Sequence, residues 1–158
     1  MWTMAAALWS LALASNPGAE RVGVFHSPSV VVAYYRSELW LRQVRQRREA
    51  LEEAKRAGDR RKAAELDRWG RDAQKLAHRQ LAGKAPIDNI WQELQPFLPE
   101  VAARAGASRV VLEPPPGTEA VDVTEHLLDA LQADASTRRI AGDLRRKDER
   151  RGSRRGKD

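Results

Sequence analysis

Lys55-Arg-Ala-Gly-Asp-Arg-Arg-Lys62 is the stretch on which the reading of this chain turns. On its N-terminal side Leu41, Val44, Arg48, Leu51 and Lys55 recur at alternating spacings of three and four residues. On its C-terminal side Leu66, Trp69, Ala73, Leu76 and Gln80 do the same with better apolar content. That spacing keeps one stripe of each helix facing a partner. Two stripes flanking Gly58-Asp59 therefore predict an antiparallel helical hairpin, with Lys55, Arg56, Arg60, Arg61 and Lys62 at its tip.

Outward from the hairpin lie short strand-like runs. Val22-Gly-Val-Phe25 precedes it, and Arg109-Val-Val-Leu112 and Ala120-Val-Asp-Val123 follow it. Runs this short do not stand alone, so they are expected to meet in one small sheet once the chain has gone out along one helix and returned along others. Val22, Val24, Val110, Leu112, Val121 and Val123 are its expected core, within the chain or between copies of it. Ser27-Pro28-Ser29 reads as a helix start, with Ser27 or Ser29 as the cap. No proline or glycine follows from Val30 to Ala57, so one unbroken outgoing helix is expected. Pro86, Pro96 and Pro99 break the return, because proline removes a backbone donor and disfavours helix in the residue before it. Residues 87–105 then form short or kinked helices closed by Gly106, and Thr124 caps a helix over 124–132.

The fold class expected is α+β: a small β body with a protruding antiparallel coiled-coil arm. In boundaries, residues 1–14 form a signal peptide and 15–132 the folded domain. The domain holds strands at 22–25, 109–112 and 120–123, the arm at 29–82, a helical segment at 87–105 and a helix at 124–132. Residues 133–158 form a basic disordered tail, since the apolar face fades after Ala133, with room for an extra helical turn or two around Ile140 and Leu144. The signal peptide rests on the uncharged run Met4 to Ala14, which ends in Ala-Leu-Ala and is shorter than the roughly twenty residues of a membrane span. Export follows from it.

The formal net charge of +6 conceals segregation. Residues 36–84 carry fifteen Lys/Arg against eight Asp/Glu, 85–132 carry two against eight, and 133–158 carry ten against five. With no cysteine, there are neither disulfides nor thiolate metal sites. His26, His78 and His126 fall in different elements and give no metal spacing. Neither a glycine-rich phosphate loop nor a nucleophile elbow is present, so no enzyme activity and no cofactor are expected. Trp69 reads as seam core, Trp40 as lining a cavity beside the seam, Trp91 as buried against the body, and Tyr34 and Tyr35 as packing residues at the arm's root.

These features together resemble the Skp/OmpH family of periplasmic chaperones for outer-membrane proteins. The resemblance runs from Arg21 to Leu131 and is carried by Arg21-Val-Gly-Val-Phe25, the arm tip, Ala105-Gly-Ala-Ser-Arg-Val-Val-Leu-Glu113 and Val121-Asp-Val-Thr-Glu-His-Leu-Leu-Asp-Ala-Leu131. The last of these is the most specific. The resemblance implies a periplasmic homotrimer that shelters unfolded outer-membrane proteins without ATP, its arms enclosing a cavity. The tip cations would attract acidic clients or an anionic lipid surface, in either case with strong salt sensitivity. Two other readings fit the residues: a nucleic-acid or anionic-surface binder working through the basic tail, which export disfavours, and a structural coiled-coil protein of the envelope.

Overall fold

The computed structural model describes residues 19–155. The expected signal peptide, residues 1–14, lies outside the described residues. In order along the chain come β1 (Arg21–Val24), α1 (Ser27–Tyr35), α2 (Glu38–Arg56), α3 (Arg60–Leu81), α4 (Asp88–Leu94), α5 (Leu98–Arg104), β2 (Arg109–Val110), β3 (Glu119–Asp122), α6 (Thr124–Ala130) and α7 (Ala135–Arg155). The architecture is α+β in the broad sense: mostly helical, with one small sheet.

That sheet has the order β2-β1-β3, and both neighbours run parallel to β1. Parallel strands cannot be joined by a tight hairpin, which is why five helices separate β1 from β2. Gly23 pairs with Val110 on one side and Val121 on the other. The Val111 amide donates to the Gly23 carbonyl at 2.8 Å, and the Val123 amide to that of Val24 at 2.8 Å. The sheet is narrower than the sequence suggests. β2 stops at Val110, and Leu112, expected in its core, is 45% exposed in the loop that leads to β3. Val22, Val110 and Val123 are buried within the single chain, whereas Val24 and Val121 are half-buried.

The core forms where α1, α4, α5 and α6 pack on this sheet. Val30, Val31 and Tyr34 of α1 join Ile90 and Leu94 of α4, Leu98 and Val101 of α5, and Leu127 and Leu128 of α6. α1 is buried on nearly all sides, which is the environment its apolar Val30-Val-Val-Ala-Tyr-Tyr35 run requires. Its cap differs from expectation. His26 occupies the N-cap without a side-chain bond to the backbone, while its Nδ1 lies 2.7 Å from the Ser29 hydroxyl, which in turn donates to the Ala141 carbonyl at 2.9 Å. Thr124 likewise is not the cap of α6: Val123 stands there, and the Thr124 amide and hydroxyl both donate to Asp122 Oδ1, at 2.9 and 2.6 Å.

Two further corrections concern the helices. The outgoing helix is broken at Arg36-Ser37, where the Ser37 hydroxyl donates to the Tyr34 carbonyl at 2.6 Å and caps α2. At about 1.5 Å rise per residue, the nineteen residues of α2 reach about 28 Å, well short of an unbroken helix from Pro28. The tail expected to be disordered is helix α7, packed along α1. Its contact face is made of small and polar residues instead of large apolar ones: Thr137 and Ala141 are buried, Thr137 Oγ1 accepts from Arg36 Nε at 2.8 Å, and Arg145 pairs with Asp122. An apolar-periodicity reading has no purchase on such a face.

Candidate functional site

The hairpin turn is built from three residues. Gly58, at φ 71°, donates its amide to the Lys55 carbonyl at 3.1 Å, and the Asp59 amide reaches back to the Ala54 carbonyl at 2.9 Å. This is the paired-bond ending that a left-handed residue makes possible. Asp59 then accepts from the Lys62 amide at 3.0 Å and starts α3. α2 and α3 therefore run antiparallel, with Trp40 and Trp69 meeting at a centroid distance of 5.6 Å.

All five tip cations, Lys55, Arg56, Arg60, Arg61 and Lys62, are exposed. They are also interleaved with carboxylates. Lys55 pairs with Glu52 at 3.3 Å and Arg61 with Glu65 at 3.2 Å, and Arg56 donates to the Glu52 carbonyl. Between Glu52 and Glu65 five cations face four carboxylates, so the tip's local charge is close to neutral. Such surface pairs contribute about 0.3–0.5 kcal/mol each, and they blunt the field that the clustering of basic residues suggests.

The more built part of the arm is its root. Tyr34 and Tyr35 close α1, Trp40 lies in the first turn of α2 and Trp69 lies midway along α3, and their rings form a chain of edge-on and tilted contacts at 5.0–5.9 Å. With Gln43, Asp72, Leu76, Asn89 and Glu93 they line a cleft of about 390 Å³ between the arm and α4. Trp69 was expected as core and Trp40 as cavity lining; both are half-buried and line the same cleft. Gln80, read only as the last residue of the return stripe, is 2% exposed and knots the arm to the body. Its Oε1 accepts from the Tyr35 hydroxyl at 2.7 Å, and its Nε2 donates to the Pro86 carbonyl and to Asn89 Oδ1, each at 2.6 Å. A glutamine with all its partners in reach costs little to bury and fixes the angle at which the arm leaves.

Burial, and then the charge of Glu93, push the Tyr34 phenol up to about 12. Glu93 accepts from Gln43 Nε2 at 3.2 Å. Toward the tip, the Arg47 guanidinium lies 4.2 Å above the Trp69 ring, in a separate hollow between the two arm helices. Along the seam Val44, Leu51, Leu66 and Leu76 stay half-exposed, because two helices alone cannot enclose a stripe. Trp91 is half-buried against the core and stacks with Phe25 at 6.1 Å.

The three histidines belong to different elements: His26 bridges α1 to Asp148 of α7 and donates its amide to the Thr124 hydroxyl at 2.9 Å, His78 is exposed on α3 and His126 lies on α6. Among the described residues no group of three or more His, Cys, Asp or Glu could hold a metal, and no helix is long and apolar enough to cross a membrane. Comparison of the chain with protein-family models, with curated proteins and with solved structures finds no match.

Proposed function

We propose that this protein is an ATP-independent holdase of the Skp/OmpH kind, working outside the cytoplasm on unfolded outer-membrane proteins. The observation that carries the reading is the helical hairpin: among the described residues it packs, beyond its root, only on itself, and it leaves a half-exposed apolar seam along its length. Such a surface can hold an extended apolar-and-polar strand by many weak contacts and release it without nucleotide. Assembly into a trimer would set several seams around a shared space. The body already closes a core within one chain, so each copy would enter that assembly folded.

The test is light scattering of an unfolded outer-membrane β-barrel protein diluted from urea, with and without the full chain and with no nucleotide present. Suppression near stoichiometric ratios is expected. A variant that loses about two turns from each arm helix, on either side of a retained Ala57-Gly58-Asp59 turn, should lose it. Equal protection by the shortened arm, or none by the full chain, would overturn the proposal.

A second reading draws on α7, whose outward Arg139, Arg146, Lys147, Arg150 and Arg151 are partly or fully exposed and could meet an anionic surface or nucleic acid. Deleting 133–158 does not isolate this reading, because Thr137 and Ala141 are buried against the body. Exchanging those five residues for Gln does, and the holdase should survive the exchange.

A further inference from the structure

The cleft at the arm's root has an electrostatic character opposite to that of the chain around it. The protein carries a net charge of +6, and the arm is its most basic long segment, yet the ionisable groups lining this cleft are two carboxylates, Asp72 and Glu93, and two tyrosines, Tyr34 and Tyr35. Arg47, the nearest cation seen on a ring, lies in the neighbouring hollow toward the tip and does not line this cleft. Among the described residues the ion pairs of the arm join Glu38 to Arg45, Glu52 to Lys55 and Glu65 to Arg61, and neither Asp72 nor Glu93 takes part in one. Trp40 and Trp69 supply the aromatic wall.

We infer that this cleft binds an organic cation, a guanidinium or alkylammonium group on an apolar stem, held against Trp40 and Trp69 with Asp72 and Glu93 supplying the counter-charge. Three observations combine to select that class. Aromatic faces attract cations, and Trp40 and Trp69 both line the cleft. Two carboxylates without cationic partners complement one positive charge and repel anions. The volume, about 390 Å³, lies within the range of small-ligand pockets of roughly 300–1,000 Å³. A bare divalent metal is a poorer occupant, since hard cations gather six or more oxygens and this wall is largely aromatic. The raised Tyr34 phenol fits the same picture, because the Glu93 charge that helps raise it would also draw a cation in.

The inference does not depend on the holdase reading. The cation can arrive free in solution or on an arginine side chain of a polypeptide, and the two sources are separated by the choice of probe. Choline and N-acetyl-arginine methylamide are titrated into the full chain by calorimetry, with tryptophan fluorescence as a second readout. The neutral isostere of choline, 3,3-dimethylbutan-1-ol, serves as the control. Binding of at least one cation in the millimolar range or tighter is expected, with the neutral isostere at least about tenfold weaker. A preference for choline indicates a free small cation, and a preference for the arginine amide indicates a peptide side chain. Asp72→Asn and Glu93→Gln should each weaken the preferred cation about threefold to tenfold without changing the far-ultraviolet circular dichroism. Equal affinity for the neutral isostere, no cation binding up to about 50 mM, or full affinity in the double variant would each overturn the inference.

Discussion

Gly23 is where the smallest change has the largest expected effect. It lies within the central strand, and a Cβ built on it would come within 2.9 Å of Val123 Cγ1 and 3.2 Å of Val110 Cγ2. Both neighbours are buried valines, and Val123 is fully enclosed. Gly23→Ala should therefore cost about 1–3 kcal/mol, visible as a lower urea midpoint at unchanged slope. Gln132 presents the opposite case. It ends α6 at φ 54°, the one non-glycine residue with positive φ among those described, and the Ala133 amide reaches back to the Leu128 carbonyl just as glycine-ended helices do. Gln132→Gly should stabilise by about 0.5–1 kcal/mol, measured in the same titration. The glycines at 58 and 106 were legible as helix ends because their spacing from the apolar stripe announces them. Gly23 was not legible as a packing constraint, since the valines that crowd it come from distant parts of the sequence.

At the scale of elements, α7 shows how charge can replace apolar bulk. Asp122, Asp129 and Asp134 surround its first half. Burial raises the Asp122 carboxyl, but hydrogen bonds from Thr124 and the Arg145 guanidinium outweigh it and leave the group below its usual value. Arg138 and then Arg104 lower Asp129, and the Thr137 amide lowers Asp134 at the start of the helix. A carboxylate depressed in the folded state adds stability that is complete above its unfolded value and is lost as pH falls through the folded one. α7 should accordingly loosen below about pH 4, where unfolded aspartates begin to protonate. Amide exchange between pH 5 and pH 2 should show residues 135–155 losing protection before α1 and α6, and Asp122→Asn should flatten that dependence. The hairpin, by contrast, was written into the chain itself: two stripes stepping by three and four residues, with a Gly-Asp between them. The break at Ser37 was not, because the residues before it are as helix-compatible as those after it. What separates α1 from α2 is environment, one buried on nearly every side and the other exposed on most of it.

For the molecule as a whole, the balance of charge at the arm tip argues that apolar contact, not attraction at a distance, dominates capture of a client by the proposed holdase. Exchanging Lys55, Arg56, Arg60, Arg61 and Lys62 for Gln should change the protective ratio in the scattering assay less than about twofold, because the carboxylates around them already cancel most of the field. A loss of protection would return the tip to the centre of the mechanism. Sequence alone determined what depends on neighbours along the chain: the two arm stripes on either side of Gly58-Asp59, where the arm reverses, which short runs can be strands, and how charge is segregated. Tertiary structure alone decided that β1 lies between two parallel partners, that residues 135–155 close over α1, and that Tyr34, Tyr35, Trp40, Trp69, Asp72 and Glu93 share one cleft. Periodicity reports which face of an element seeks cover, but not which other element supplies it. That choice is made by packing among residues far apart in sequence, and by hydrogen bonds such as those of Gln80 that carry no hydrophobic signal at all.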